Sequence, residues 1–245
     1  MTFVLSYTFS KQMFWDCCIS TAWLTNTGAI LQLDPSGTTG TLKTYPINSP
    51  KDLFYWQPDS ANKPQELGFS GVWDLPVGKG RHFANSVHGG ADKVLSGWTI
   101  PWTVSYISGS FVGLPQAVNY CGDYTHYVDP VTGKATGQTE DHWFNNNPKC
   151  YGSFPTNNIA TFLPPRFSGN VENPASPQFN IALEKNTTFH ERYRLQFRAE
   201  SFNIANSPIR PGPGSTTFNN AAFGLIGKTQ QNFPRLIELA LKLFF

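Results

Sequence analysis

The sequence has few charged residues and no long apolar run. Only 14% of its 245 residues are charged, whereas a soluble domain usually carries about 25%. No segment approaches the roughly 20 consecutive apolar residues that a transmembrane helix needs. The formal net charge is +2, which gives no strong field for nucleic acid or for acidic partners. These absences argue against a helical membrane protein and against a nucleic-acid-binding protein.

The motifs of common catalytic and metal sites are also missing. The sequence has no GxSxG nucleophile elbow, no CxxC and no HExxH, and its histidines fall in predicted turns or loops. The stretch AFGLIGKT at 222–229 is a relaxed phosphate-loop pattern, but Pro234 follows where such a loop needs a helix. We therefore expect a glycine-rich loop there, no enzyme, no metal and no cofactor.

A secretory signal is absent from the first ten residues, MTFVLSYTFS, which lack a basic start and a continuous apolar core. These residues already alternate as the interior of a β-strand does. The alternation predicts that Met1 is a truncation point within a longer protein.

Apolar and polar residues alternate with a period of two in six segments, and this pattern predicts six strands. Pro101 lies inside the third and costs a ladder hydrogen bond, so a bulge or an unpaired position is expected there. The predicted strands are Thr2–Ser10, Glu66–Leu75, Leu95–Ser108, Gln178–Lys185, Arg192–Glu200 and Ile237–Phe245.

The connections between these strands run long, short, long, short, long. Outer-membrane barrels have long extracellular loops and short periplasmic turns. Several strands reach the roughly 9–11 residues that cross a bilayer at a tilt, and aromatic residues lie near the ends of the apolar faces. The pattern predicts an all-β fold, an antiparallel up-and-down transmembrane barrel of which about six strands are present. The alternative is a secreted soluble β-sandwich that binds carbohydrate or a protein partner.

Six stretches, in their order and spacing, carry a family resemblance. They are GVWDLPVGKG at 71–80, LSGWTIPWTVSYISG at 95–109, HWFNNNP at 142–148, RLQFRAESFNIANSP at 194–208, AAFGLIG at 221–227 and PRLIELALKLFF at 234–245. Together they resemble the C-terminal barrel part of TonB-dependent outer-membrane receptors of the Oar-like type.

This resemblance implies that residues 1–245 are the end of a receptor barrel in the cell outer membrane, without its plug and N-terminal domains. The full protein would take up a scarce solute or polymer and would depend on the TonB system through those missing parts. Its other partners would be outer-membrane lipid and the barrel-assembly machinery. The terminal strand, with Leu241, Leu243 and Phe245, looks like the signal that this machinery recognises.

Three sets of residues are candidates for a functional role. Arg192, Arg194, Arg198 and Glu200 share one face of the fifth strand, either as a lumen wall that contacts a plug or solute, or as ion pairs with neighbouring strands. Trp143, Phe144 and Asn145 form either an exposed ligand-contact patch or an anchor that packs a long loop. Cys121 and Cys150 either form a disulfide that closes a surface loop or remain free thiols.

Overall fold

Nearly all of the regular secondary structure in the computed structural model is β-strand. It describes residues 1–17, 29–33, 42–46, 54–113, 117–121, 124–153, 160–161, 167–189 and 192–245. The strands are, in chain order, β1 Thr2–Phe9, β2 Met13–Cys17, β3 Ala29–Leu33, β4 Leu42–Pro46, β5 Phe54–Pro58, β6 Gln65–Asp74, β7 Trp98–Ile107, β8 Phe111–Gly113, β9 Val118–Asn119, β10 Tyr127–Val128, β11 Ala135–Thr136, β12 Tyr151–Gly152, β13 Ala160–Thr161, β14 Phe167–Glu172, β15 Ser176–Phe189, β16 Tyr193–Phe202 and β17 Leu236–Phe244.

Helical structure in the described residues is confined to short pieces. One α-helix, α1, spans Gly90–Leu95, and a single 3-10 turn spans Pro148–Cys150. Within the described part of the chain, no helix has the length and apolar character needed to cross a bilayer.

Six long strands form the main sheet in the order β1-β6-β7-β15-β16-β17. Every neighbouring pair is antiparallel, so the sheet is an up-and-down meander. These are the six strands that the alternation predicts, with ends that differ by a few residues. The largest difference is β15, which is 14 residues long. The sheet is not closed, and β1 and β17 form its two edges.

The register places most of the apolar residues of the six strands on one side of the sheet, here called the apolar face, with Val72 and Phe244 as exceptions. Directly paired residues point to the same side, and Leu5 pairs with Phe69, which pairs with Val104. The same face continues to the last strand, where Phe197 pairs with Leu241. Leu239 and Leu241 are 71% and 67% exposed. Among the residues that the structure describes, no second layer covers these leucines, as a soluble sandwich would require.

The opposite side, here called the polar face, carries most of the charged and hydroxyl-bearing residues of the same strands. One of its rows runs from Asp74 through Thr99 and Glu184 to Arg198. The alternation that predicts the strands therefore also predicts the composition of both faces.

Pro101 interrupts pairing on one side of β7 without a bulge. The ladder between β7 and β15 breaks after Trp102 and Ile181 and resumes at Thr99 and Glu184 in the same register. On the other side, Pro101 pairs with Val72 of β6. The missing N–H of proline is thus accommodated by an unpaired stretch, one of the two expected solutions.

Long and short connections lie at opposite ends of the sheet, in the predicted order. Residues 75–97 join β6 to β7, and residues 190–192 join β15 to β16, at the short-connection end. Residues 10–64, 108–175 and 203–235 form the first, second and third long connections at the other end. The remaining small sheets, such as β8 with β14 and β9 with β12, lie within these long connections.

Candidate functional site

A charged cluster occupies the polar face where β15 and β16 meet. Arg198 Nη1 lies 3.1 Å from Glu184 Oε1 on the neighbouring strand, and its Nη2 contacts Glu200 Oε1. The Nε atom of Arg198 is buried without a hydrogen-bond partner in the described part of the chain. One guanidinium thus faces two carboxylates and retains one donor for a further group.

The other two arginines of the predicted set lie away from this cluster. The guanidinium of Arg194 is 4.4 Å from the centre of the Phe244 ring on β17, a cation–π contact. Arg192 is exposed in the turn before β16. The structure therefore joins Arg198 and Glu200 with Glu184, the partner that the sequence did not single out.

A cavity of about 240 Å³ lies beside the cluster, lined by residues of β7, β15 and β16. Its lining includes Thr103, Asn180 and Arg198, together with the carboxylate-bearing Glu200. Amide, hydroxyl and charged groups converge there, an arrangement that suits hydrogen bonding to a polar group on this face of the sheet.

Parts of the second and third long connections fold together around a small hydrophobic core, and we call this unit the loop body. Phe144 and Cys150 are fully buried in it. The ring of Phe144 meets that of Phe223 edge to face at 5.2 Å. The remaining buried core residues are Val112, Ala117, Tyr151, Val171 and Phe223.

Asn145 organises the backbone around this core through hydrogen bonds. Its N–H donates to the Tyr124 carbonyl over 2.8 Å, and its side-chain oxygen accepts from the N–H of Asn147 over 3.3 Å. The Tyr151 hydroxyl donates to the carbonyl of Asn145. Burial raises the pKa of the neighbouring Tyr124 hydroxyl above its usual value. A buried amide with this many partners fixes the path of the loop.

Further bonds join the two long connections to each other. The N–H of Trp143 donates to the Gly224 carbonyl over 2.9 Å, and Asn146 Nδ2 donates to the Phe223 carbonyl over 3.0 Å. Gly224 has a φ of +68°, and a Cβ there would lie 2.6 Å from Asn146. The AFGLIGKT stretch is therefore a packed loop segment, as expected.

Burial corrects the interpretation of Trp143, Phe144 and Asn145 as an exposed ligand-contact patch. The side chains of Phe144 and Asn145 have no exposed surface. Trp143 is partly buried against the same core, and its Nε1 donates to the Glu172 carbonyl over 2.7 Å. These residues pack the loop, because the rings form its core and the indole N–H ties it to β14.

A disulfide joins Cys121 and Cys150 within the second long connection, with a Cα–Cα distance of 5.2 Å. Cys150 belongs to the core, whereas Cys121 is exposed. The bond therefore ties the exposed segment that follows β9 to the centre of the loop body. Cys17 belongs to β2, although nothing is described of its side chain, and Cys18 lies outside the described residues.

Comparison with protein families decides the identity of the fold. Residues 1–238 match the family described as outer membrane beta barrel domain. The chain belongs to this family. Comparisons with curated proteins and with solved structures gave no match.

Membership in this family shows which face of the sheet contacts lipid and which faces the lumen. It also shows which end of the sheet is extracellular and which is periplasmic. In an outer-membrane barrel the apolar band faces lipid and the interior is polar, so the apolar face is the lipid side and the polar face lines the lumen. Long loops are extracellular and short turns periplasmic. The loop body therefore lies on the outside of the cell and the charged cluster within the barrel. The protein is located in the cell outer membrane.

The terminal strand of this barrel domain has one paired edge and one open edge among the described residues. Leu241 and Leu243 point to lipid, and Phe245 is 97% exposed beyond the end of β17. Their arrangement is that of an amphipathic strand whose open edge can pair with another strand.

Proposed function

We propose that this barrel domain is part of a TonB-dependent receptor that takes up a scarce solute or polymer and performs no covalent chemistry. The observation that carries the proposal is the loop body, a folded and disulfide-tied unit built from two long extracellular connections. A solute receptor needs a structured surface at the outer end of its barrel, and flexible loops would lose more entropy on binding.

The lumen-facing cluster supports the same proposal. Arg198 pairs with both Glu184 and Glu200 and keeps its Nε donor, and an adjacent cavity carries polar groups. Such a wall can hold a plug or a passing solute by hydrogen bonds and charge. The barrel-assembly machinery would be the partner during insertion, through the strand that ends at Phe245.

The test compares the solutes removed from the growth medium by a wild-type strain and by a strain without this gene. Profiling of the spent medium identifies the solute, since only the wild type depletes it. Uptake of that solute is then measured with and without a protonophore, because TonB-dependent transport requires the proton gradient of the inner membrane.

Loss of depletion in the deletion strain, restored by the gene and abolished by the protonophore, is the expected result. Depletion that persists with the protonophore would identify a passive channel and overturn the proposal. Identical media from both strains would overturn it as well.

A further inference from the structure

Residues 75–97, the longer of the two periplasmic connections, fold into a compact unit that we call the rim segment. The N–H of Phe83 donates to the Pro76 carbonyl, and that of Leu75 donates to the Trp98 carbonyl, each over 2.9 Å. The Asp92 carboxylate accepts from the N–H of Lys79 over 3.2 Å and from the Ser96 hydroxyl. These bonds give α1 a fixed place at the end of the barrel.

The rim segment lies on the lipid side of β15. Lys185, Thr187 and Phe189 share the apolar face, because they alternate with the lumen-facing Glu184 and Asn186. Thr187 Oγ1 donates to the Lys93 carbonyl over 3.5 Å, and Lys185 Nζ donates to the Ser96 carbonyl over 2.5 Å.

Close backbone approach keeps the segment against β15. The N–H of Asn186 donates to the Gly97 carbonyl over 2.9 Å. A Cβ at Gly97 would lie 2.3 Å from the Asn186 carbonyl oxygen, and the glycine has a φ of +80°. This contact continues the ladder between β7 and β15 and fixes the end of the rim segment beside β15, while the side-chain contacts place α1 on the lipid side.

Cations and aromatic rings alternate along this surface. Lys93 Nζ lies 5.0 Å from the centre of the Phe189 ring, and Lys185 Nζ lies 5.0 Å from that of Trp98. Val94, beside Lys93, is 63% exposed, and its carbonyl accepts from Trp98 Nε1 over 2.9 Å. Lysines with apolar stems, an indole and an exposed aliphatic residue together suit the interface between acyl chains and headgroups.

The charge of the rim segment is positive, since it holds three basic residues and one acidic residue. That acid, Asp92, already accepts two hydrogen bonds within the segment. Lys185 uses one of its three ammonium donors for the Ser96 carbonyl. An anionic partner would therefore find available donors and, within the rim segment, no competing carboxylate other than Asp92.

We propose that Lys93 and Lys185 bind the phosphate of an anionic phospholipid in the periplasmic leaflet, with Val94 and Leu95 against its acyl chains. This lipid site rests on the barrel orientation and is independent of the solute-uptake role. Charge complementarity and the position of α1 on the lipid side both favour a membrane lipid as the occupant.

The test uses the protein extracted from outer membranes in detergent, mixed with equal amounts of phosphatidylglycerol and phosphatidylcholine of the same acyl chains. Native mass spectrometry counts the lipids retained. A lysine near an anionic surface contributes about fivefold in affinity, so the wild type should retain phosphatidylglycerol at least several-fold in excess. Lys93→Gln should reduce this excess, and K93Q/K185Q should abolish it.

Lys134→Gln, at an exposed extracellular position, is the matched control and should keep the wild-type excess. Because Lys93 is exposed, K93Q should fold normally, and this single variant is a sufficient test if the double variant fails to fold. Equal retention of both lipids by the wild type would overturn the proposal, as would an unchanged excess in K93Q. Complete displacement of the lipid by millimolar inorganic phosphate would identify a site for free phosphate instead.

Discussion

Arg198 faces two carboxylates on the lumen wall, and its removal would leave Glu184 and Glu200 without their shared cation. We expect Arg198→Met to lower the free energy of unfolding by about 1 kcal/mol, the upper range for partly exposed ion pairs. Urea unfolding in detergent micelles measures this change.

The contribution of charge to that loss can be separated from the contribution of packing. Adding Glu200→Gln to the R198M variant removes one of the two carboxylates and should recover part of the stability. An R198M variant as stable as the wild type at low salt would show that the cluster contributes nothing to the fold.

Asp92 makes the rim segment sensitive to acid. Hydrogen bonds from the Ser96 hydroxyl and the Lys79 N–H hold the pKa of this carboxyl below its usual value. The pKa of Asp92 is thus lower in the folded protein than in the unfolded protein. The stabilisation is therefore present above the unfolded pKa and is lost as the pH falls through the folded pKa.

Hydrogen exchange at the Lys79 amide, corrected for the intrinsic rate, should show protection at neutral pH that declines in the acid range. Asp92→Asn should show weaker protection that changes little over the same range. An acid profile identical in the wild type and D92N would assign the decline to another group.

At the scale of single residues, the sequence shows which side chains share a face of a strand, but not which side chains meet across neighbouring strands. Arg198 was placed correctly on a charged face because alternation depends on its own strand alone. Its partner Glu184 comes from a neighbouring strand, and the pairing depends on the register between β15 and β16.

The loop body is stabilised by aromatic packing more than by regular strands. Phe144 has no exposed surface and contacts Phe223, so Phe144→Ala should destabilise this unit by about 3–5 kcal/mol. Limited proteolysis of the extracellular loops on intact cells should become much faster in this variant.

Phe233→Ala is the matched control, because Phe233 lies in the third long connection and is 85% exposed. It should leave the proteolysis rate near that of the wild type. Equal rates for both variants and the wild type would contradict the assignment of Phe144 to a folded core.

The strands could be predicted from the sequence, whereas the loop body could not. A period of two is a local property, and it locates all six long strands. The connections have no period, and their core forms from residues far apart in sequence, such as Phe144, Val171 and Phe223. The burial of Asn145 has no local signal either, since asparagine is usually found at the surface.

At the scale of the whole molecule, the assembly role that we propose for Phe245 can be distinguished from a role in stability. Phe245 is 97% exposed, so its deletion removes little packing. We expect deletion to reduce the amount of folded protein in the outer membrane several-fold while the melting of the inserted fraction stays unchanged. Heat modifiability on gels measures the folded amount. A normal amount in the membrane would exclude Phe245 as part of the assembly signal.

The barrel orientation follows from one property of the whole sheet, namely that no layer built from the described residues covers its apolar face. In lipid such a face is stable, whereas in water it would be an exposed patch that promotes aggregation. The family match supports the same conclusion independently.

The most direct test of this account is spin labelling along β17 in membranes, with Cys17 and Cys18 replaced by serine. Collision with oxygen reports lipid, and collision with a water-soluble nickel chelate reports the aqueous lumen. We expect collision mainly with oxygen for labels at positions 237, 239, 241 and 243. We expect collision mainly with the nickel chelate for labels at positions 236, 238, 240 and 242, so the two collision rates should alternate along the strand. Apolar positions shielded from both reagents would show that the face is buried in protein and would contradict the barrel.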